Sequence, residues 1–548
     1  MIKIANDKEI TIEIKKPELL VLIIFLSTIL ALELNVTYST KPNFGDEGFH
    51  TYFAQKIFEE KEYFIWMPFE NTSLIKGSNT RPPLWNLLEA GFFLLFGFRE
   101  EIVRFLTPFI AMLTGIVVYL LVKRLFDKKV ALISAILVVT IPSFVTYSVL
   151  FYTDVLFTFY TALAFLLFLL AEKENSKKYF LLSGIFAAFA FLTKIPGIAF
   201  YLFYGLAFLY ELLKSKSFLN TFKKYLPIIA VLILIPLTFF LRNYHYFGTP
   251  ICYRIPVIDL FDTSGCNINN FKNKYEFAGR VEQAGTEASV YQIGIISYLD
   301  FAYGSLWLVV FGAIGGALLL IEKRDNISVY VMLFLLLFFL LFPIVVGRAE
   351  DTARYTLGWI PLFTLFAGLW YGKFYEFLEK GFKYLGILVF IFVFVLSYMN
   401  ASSKLAVMAQ VKQFSPTFFE ACNWVKTHMQ ENVSLYTVWA HRAIYNCQRN
   451  AVGTSTLPDL ALSRDVNYTV KVAKENGVTH FFIQKFSVDP ANQHFAERYD
   501  LEFVQFLEAH PENFVKVYEN GASLQECQQY WQRGYQCDGN IIYEIKFK

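Results

Sequence analysis

The sequence predicts a polytopic α-helical membrane protein with one soluble α/β domain at its carboxyl-terminal end. Of its 548 residues, 55% are hydrophobic and 18% are aromatic, which is more than soluble domains usually contain. Apolar runs long enough to cross a bilayer as helices recur from Leu19 to Met399. After residue 400 these runs stop and a mixed composition follows. We therefore divide the chain into a membrane domain, 1–400, and a soluble domain, 401–548.

About 11 segments of the membrane domain have the length and hydropathy of a span. Their approximate bounds are 18–38, 102–122, 130–149, 151–171, 179–193, 196–213, 225–241, 297–321, 327–346, 355–372 and 383–400. The segment 83–97 is also apolar, but it is short, opens with Pro82-Pro83 and carries Glu89. We predict that it is a juxtamembrane helix that lies along or dips into the outer leaflet.

The basic residues predict the topology. With the amino terminus in the cytoplasm, the inner loops carry a consistent excess of cations, as the positive-inside rule requires: Lys123, Arg124, Lys128, Lys129, Lys173, Lys177, Lys178, Lys214, Lys216, Lys223, Lys224, Lys323, Arg324, Lys373, Lys380 and Lys383. The odd number of spans then places the soluble domain outside, beside a first outer loop at 39–101 and another at 242–296. We expect a multi-pass protein of the cell membrane with an extracytoplasmic α/β domain.

The cysteines support this topology independently. All six lie in predicted outer regions: Cys252, Cys266, Cys422, Cys447, Cys527 and Cys537. An even set on one side predicts disulfides in an oxidising exterior. Proximity favours Cys252–Cys266, Cys422–Cys447 and Cys527–Cys537, although spacing alone leaves the connectivity of the soluble domain open. Zinc binding is the weaker alternative because no Cys-x-x-Cys pair is present.

The soluble domain alternates helix-like and strand-like segments. Residues 418–430 and 466–476 have helical spacing, and residues 433–439 and 479–484 read as strands. We find no glycine-rich phosphate loop and no Ser-His-Asp pattern with local context. We interpret the domain as a non-catalytic lid or docking module.

Carboxylates and cations gather at the predicted outer edge of the membrane. Gly45-Asp46-Glu47-Gly48-Phe49-His50 follows the first span, and Asp154 lies between two apolar spans. The alternative for the hexapeptide is a solvated turn, but a carboxylate such as Asp154 at the membrane edge is costly unless it is paired or faces a polar cavity. The same side carries Arg81, Lys194, Arg242 and Arg354. Each cation alone could end a helix or reach the headgroups.

These residues together resemble the C-type membrane glycosyltransferases, closest to family 39. That family includes dolichyl-phosphate-mannose protein mannosyltransferases and the lipid A aminoarabinose transferase. The resemblance covers about residues 18–372 and rests on a series of motifs in preserved order: Asp46-Glu47, Arg81-Pro82-Pro83-Leu84-Trp85, Asp154, Leu192-Thr193-Lys194-Ile195-Pro196-Gly197, Arg242-Asn243, Phe247-Gly248-Thr249-Pro250 and Arg354-Tyr355. Asp46-Glu47 with Phe49-His50 and Ala54-Gln55 also resembles the terminal glucosyltransferase of the dolichol pathway.

The resemblance implies an inverting glycosyltransferase that uses a polyprenyl-phosphate sugar, with dolichol or undecaprenol as the lipid, at the outer face. An acceptor hydroxyl needs a carboxylate base, and the family indicates Asp46. The phosphate leaving group needs cations, here Arg81, Lys194, Arg242 and Arg354. His50 and Tyr355 are further candidates for donor binding, and Asp154 and Glu47 for orienting the reactants, with Glu47 capping a helix that starts near Phe49.

Several alternatives remain open at this stage. No cofactor is expected because no Asp-x-Asp motif occurs, and a divalent metal between Asp46 and Asp154 is the weaker reading. Arg81 stands where relatives often carry His or Lys, and the soluble domain does not resemble a β-trefoil. Both departures leave the acceptor open among protein, glycan and lipid. A transporter or a non-catalytic lipid-binding protein is the competing class. The net charge of +3 argues against a nucleic-acid partner.

Overall fold

The computed structural model describes residues 2–4, 10–12, 17–39, 47–60, 82–247, 250, 314–318, 321, 325–346, 354, 357–381, 384–411, 416–438, 440–454, 457–485, 488–489, 499–532 and 537–547. Two short amino-terminal strands, β1 (Ile2–Ile4) and β2 (Ile10–Ile12), pair antiparallel.

After β1 and β2, the described part of the membrane domain is formed by helices, and the last of these continues past the predicted boundary at residue 400 to Val411. They are α1 (Pro17–Ser39), α2 (Glu47–Glu60), α3 (Leu84–Phe96), α4 (Glu100–Arg104), α5 (Leu106–Leu125), α6 (Lys128–Val138), α7 (Pro142–Ser148), α8 (Thr153–Glu174), α9 (Lys177–Thr193), α10 (Ala199–Ser215), α11 (Phe218–Phe247), α12 (Asn326–Val346), α13 (Ile360–Gly381) and α14 (Leu385–Val411). Short 3₁₀ turns at Ile195–Ile198 and Leu357–Trp359 precede α10 and α13.

Six helices in the described part of the chain are long and apolar enough to cross a membrane, and a bent pair raises the number to seven. The protein is therefore an integral membrane protein. The total of about 11 spans stays a prediction, since most of the segment 297–321 lies outside the described residues. The short helix predicted at 83–97 is α3, which has 13 residues.

The predicted span at 130–149 consists of two helices rather than one continuous helix. Residues 128–148 form α6 and α7, which meet at an angle of 61°. Pro142 begins α7, and because proline lacks an amide hydrogen it starts helices easily but interrupts them from within. The chain continues from the end of α7 into the segment that precedes Asp154.

Helix α8 lies at the centre of the bundle, with 83% of its most apolar window buried. It packs against α5 and α9, and the ring of Phe168 contacts five aromatic rings, those of Phe180, Phe203, Tyr204, Tyr225 and Tyr330. Such tilted and edge-to-face pairs stabilise packing beyond the area they bury. Phenylalanine, of which the sequence has 60, thus supplies several of the rings that pack around α8.

The soluble domain is α/β, as predicted. Its helices are α15 (Pro416–His428), α16 (Ala440–Cys447), α17 (Pro458–Leu462), α18 (Val466–Glu475), α19 (Leu501–Ala509) and α20 (Leu524–Gln532). Its strands are β3 (Ser434–Thr437), β4 (Asn450–Gly453), β5 (His480–Gln484), β6 (Val488–Asp489), β7 (Tyr499–Asp500), β8 (Phe514–Gly521) and β9 (Gly539–Ile545). Five of them form one mixed sheet in the order β4-β3-β5-β9-β8, in which β3 runs parallel to β4 and β5, and β9 antiparallel to β5 and β8.

Two of the predicted disulfides are present, Cys422–Cys447 and Cys527–Cys537. The first joins α15 to the end of α16. Cys252 and Cys266 lie outside the described residues. The soluble domain contacts the membrane domain directly, because α16 packs against α2 and the Tyr445 hydroxyl donates a hydrogen bond to Glu100.

Candidate active site

Asp154 lies in the first turn of α8 and is completely buried. Lys194 Nζ donates to one of its carboxylate oxygens, and Arg354 Nε donates to the other across 2.9 Å. The side chains of Lys194 and Arg354 are only 11% and 12% exposed. A carboxylate is expensive to bury unless it is paired, and here both oxygens are paired with cations. The three residues form what we call the Asp154 cluster.

The local sequence places Lys194 at the edge of this cluster. It follows α9 in an extended conformation, with its backbone amide still bonded to Ala190. The next residues form a tight 3₁₀ turn in which a Cβ at Gly197 would overlap the backbone of Phe191. Only glycine fits this close approach. The turn thus ends α9 abruptly and leaves the Lys194 side chain directed at Asp154.

Arg354 is held by a second contact. Its guanidinium lies 4.5 Å from the ring centre of Tyr152, close enough for a cation–π interaction. Tyr152 precedes α8 by one residue. Arginine at this position is therefore fixed between a ring and a carboxylate, both supplied by the same short stretch of chain.

Glu47 is the second predicted acid that the structure describes. It is buried in the first turn of α2, and its carboxylate accepts a hydrogen bond of 2.9 Å from the backbone amide of Phe151. The helix begins at Glu47 itself rather than near Phe49. The carboxylate therefore links α2 to the chain three residues before Asp154.

His50 is buried, and its Nδ1 lies 2.9 Å from Asn86 Oδ1 on α3. This contact joins α2 to α3. The role of His50 in donor binding stays a prediction.

Arg242 lies near the end of α11, half-buried, where its guanidinium donates to Asn243 Oδ1 across 2.8 Å. The Asn243 side chain in turn donates to the backbone of Pro250. Among the described contacts, none joins Arg242 to the Asp154 cluster. Asp46, Arg81 and Tyr355, which the sequence analysis also singled out, lie outside the described residues.

Sequence reasoning missed Glu33 and Ser148. Glu33 is buried within α1, and the Ser148 hydroxyl donates to it across 2.6 Å at the end of α7. The segment 148–154 is therefore fixed at four points, through Ser148, Phe151, Tyr152 and Asp154. A carboxylate inside a predicted span is a functional candidate by default, and that rule could have identified Glu33.

Glu89 has a different environment. It is fully buried on α3, and neither carboxylate oxygen has a hydrogen-bond partner in the part of the chain described here. Burial raises the pKa of the Glu89 carboxyl well above its ordinary value. The folded protein therefore retains a proton that the unfolded chain releases near its ordinary pKa of about 4.3.

This difference predicts a pH effect on stability. Above about pH 4.3 the unfolded chain binds fewer protons than the folded protein, so the free energy of unfolding falls as pH rises. Glu89→Gln removes this titration, and we expect its thermal midpoint to fall less than that of the wild type between pH 5 and pH 8. Thermal unfolding at both values tests this, with exposed Glu475→Gln as the control. Equal losses in wild type and Glu89→Gln would contradict it.

The charge of the Asp154 cluster suits it to bind an anion. Two fixed cations surround one carboxylate, so the cluster carries net positive charge in a buried setting. Preorganised cations of this kind stabilise a phosphate and the charge that develops on it as a bond to it breaks. Asp154 itself is poorly suited to act as a base, because both of its oxygens already accept hydrogen bonds. It is better suited to hold the two cations in position.

Part of the chain matches a known family model. The family model of dolichyl-phosphate-mannose-protein mannosyltransferases matches residues 80–240, a stretch that contains Asp154 and Lys194. A search of curated proteins found no match.

Solved structures match over nearly the whole chain. The oligosaccharyltransferase AglB of Archaeoglobus fulgidus, solved with an inhibitory peptide and a dolichol-phosphate, has a TM-score of 0.69 at 13% identity, covering 97% of this chain and 89% of its own. ArnT of Cupriavidus metallidurans bound to undecaprenyl phosphate has a TM-score of 0.60 at 13% identity, covering 95% and 97%. These similarities confirm the predicted C-type membrane glycosyltransferase fold.

A further structure of the A. fulgidus oligosaccharyltransferase, a complex with zinc and sulfate, has a TM-score of 0.62 at 14% identity, covering 89% of this chain and 71% of its own. In the described part of this chain, no three His, Cys, Asp or Glu side chains are grouped to hold a metal. Metal-independent transfer stays a prediction.

Proposed function

We propose that this protein is an inverting glycosyltransferase that moves a sugar from a polyprenyl phosphate to an acceptor hydroxyl at the outer face of the membrane. The observation that carries the proposal is the Asp154 cluster. It presents a buried net positive charge in a C-type fold, where solved relatives hold dolichol-phosphate and undecaprenyl phosphate.

The leaving group explains why cations rather than an acid are needed. When the bond between the sugar and the phosphate breaks, negative charge accumulates on the phosphate oxygens. That group is a weak base, so charge stabilisation by Lys194 and Arg354 serves in place of a proton donor. Arginine adds bidentate contacts to phosphate oxygens.

The acceptor hydroxyl requires a base, and Asp46 is the proposed one. It is covalently next to Glu47, whose carboxylate is bonded to Phe151, three residues before Asp154. This connection supports a position for Asp46 beside the cluster. A single displacement with one base inverts the configuration at the anomeric carbon.

The direct test is incubation of the purified protein with a panel of polyprenyl-phosphate sugars and water or hydroxyl acceptors, followed by mass spectrometry. We expect release or transfer of one sugar and an inverted anomeric product. Binding of every donor without turnover would instead favour the non-catalytic lipid-binding alternative.

Arg242 and Arg81 are proposed as further donor-phosphate ligands. We expect Arg242→Ala and Arg81→Ala each to weaken donor binding by about 1.5–3 kcal/mol, the scale of charge-assisted hydrogen bonds. Donor affinity measured by titration on folded variants tests this, and Arg464→Ala on the soluble domain is a matched loss of charge. Unchanged affinity in both variants would remove them from the phosphate site.

The topology predicts which side each region faces. With the amino terminus inside, Lys128 faces the cytoplasm and Lys471 of the soluble domain faces outward; both are exposed. Impermeant thiol reagents applied to intact cells should label Lys471→Cys but not Lys128→Cys. Labelling of both single-cysteine variants from the same side would refute the orientation.

A further inference from the structure

A cleft of about 910 Å³ separates the soluble domain from the membrane domain. One wall comes from α2 and α4, and the other from α15, α16 and the first residue of β4. Its volume is that of a pocket for a small or medium-sized ligand. The mechanism proposed above does not use it.

The cleft lies beside the proposed active site but is distinct from it. Helix α2 begins at Glu47, next to Phe151, and reaches the cleft with Gln55 and Glu59. At 1.5 Å per residue, these positions are about 12–18 Å along the helix from Glu47. A ligand in the cleft could thus extend along α2 toward the Asp154 cluster.

The charges in the walls do not select an anion. Three acidic and three basic side chains line the cleft: Glu59, Glu100, Glu431, Arg104, Lys426 and Arg449. Several of these charged side chains already contact other residues of the walls. Arg449 donates to the backbone of Lys426 and Met429, and Glu100 accepts from Tyr445 and lies 4.0 Å from Arg104. The balance favours a neutral polar ligand over a phosphate or a polyanion.

Carboxamide groups are the side chains left to bind such a ligand. Asn423, Gln448 and Asn450 line the cleft, and their side-chain amides form no hydrogen bond with other described residues. Asn423 directly follows Cys422, and Gln448 directly follows Cys447. The disulfide between these cysteines brings their Cα atoms within 4.2 Å and so places both amides on one wall.

The side chains of this wall are suited to bind a carbohydrate. Each carboxamide offers both donors and an acceptor, and a hydroxyl likewise donates and accepts. Phe98, Phe419 and Tyr445 add apolar ring surfaces to the same cleft. Peptides are usually bound at sheet edges or in apolar grooves, whereas helices form most of these walls and β4 contributes only Asn450.

We infer that the cleft binds an oligosaccharide, the glycan portion of the acceptor, and holds it for transfer at the Asp154 cluster. The inference rests on the proposed function for what happens to the ligand, but the binding itself does not depend on it. The soluble domain then supplies one wall of the acceptor site.

Calorimetric titration of the full-length protein in nanodiscs tests the binding. The probes are neutral linear tetrasaccharides of glucose, mannose and galactose, with a serine- and threonine-containing peptide for comparison. We expect at least one tetrasaccharide to bind with a Kd below about 1 mM, and the variant Asn423→Ala/Gln448→Gly to weaken it by about tenfold or more. Glycine fits position 448 because Gln448 has a φ of 53°. Gln525→Ala, an exposed amide on α20, should bind as the wild type does.

Binding by none of the tetrasaccharides, or binding that the cleft variant does not weaken, overturns the inference. Binding of the peptide alone, weakened by the same variant, also overturns it and indicates a peptide acceptor. Failure of the proposed function looks different, because the wild type would then bind a tetrasaccharide without consuming any polyprenyl-phosphate sugar.

Discussion

Asp46→Asn is expected to lower sugar transfer by about two to four orders of magnitude, the contribution of a general base. Asparagine keeps the shape and part of the hydrogen bonding of aspartate, but it cannot accept the proton of the acceptor hydroxyl. The cations that bind the phosphate are unchanged, so donor affinity should persist. The variant therefore separates chemistry from binding.

The measurement is single-turnover transfer together with donor affinity on the same preparation. Asp46→Glu serves as the matched control, because it keeps a carboxylate and should retain more activity than Asp46→Asn. Turnover by Asp46→Asn near the wild-type rate would show that Asp46 is not the base.

Asp154→Asn is expected to reduce both donor binding and folding stability. It removes the negative charge that pairs with Lys194 and Arg354, both of which are largely buried. Removing one partner of a buried ion pair costs about 3–5 kcal/mol, and the amide oxygen that asparagine retains should place the loss at the lower end. With the cations displaced, transfer should fall strongly, though less than in Asp46→Asn.

A control for this variant lies on the same helix. Glu172, in the last turn of α8, pairs with Lys224 across 2.9 Å and is nearly buried, about 27 Å along the axis from Asp154. Glu172→Gln should also lower the thermal midpoint but leave donor affinity intact. If the two variants affect donor affinity equally, the Asp154 cluster has no special role in binding phosphate.

Composition and periodicity determined the class of this protein. Apolar runs long enough to span a bilayer form helices there, because a helix satisfies the hydrogen bonds of its own backbone groups. The membrane domain, the short helix at 83–97 and the α/β pattern after residue 400 followed from that rule and from local spacing. Proximity in sequence, which is also a local property, favoured the cysteine pairs of the soluble domain, and the structure shows both.

The sequence analysis did not predict the bend that precedes Pro142. Hydropathy averages over a window, so it treated 130–149 as one span and could not register the 61° bend between α6 and α7. The bend depends on how the chain resumes its hydrogen bonds after one proline, and tertiary packing decides that.

The sequence by itself identified Asp154, Lys194 and Arg354 as candidates, because charged residues at a membrane edge are costly and resemble a family pattern. Only the tertiary structure showed that they form one cluster, since Asp154 is 40 residues from Lys194 and 200 from Arg354. It likewise decided that Glu47 bonds to Phe151, that Glu33 holds Ser148 and that α16 packs against α2. Contacts between residues so far apart are set by how helices pack, and no local pattern in the chain specifies them.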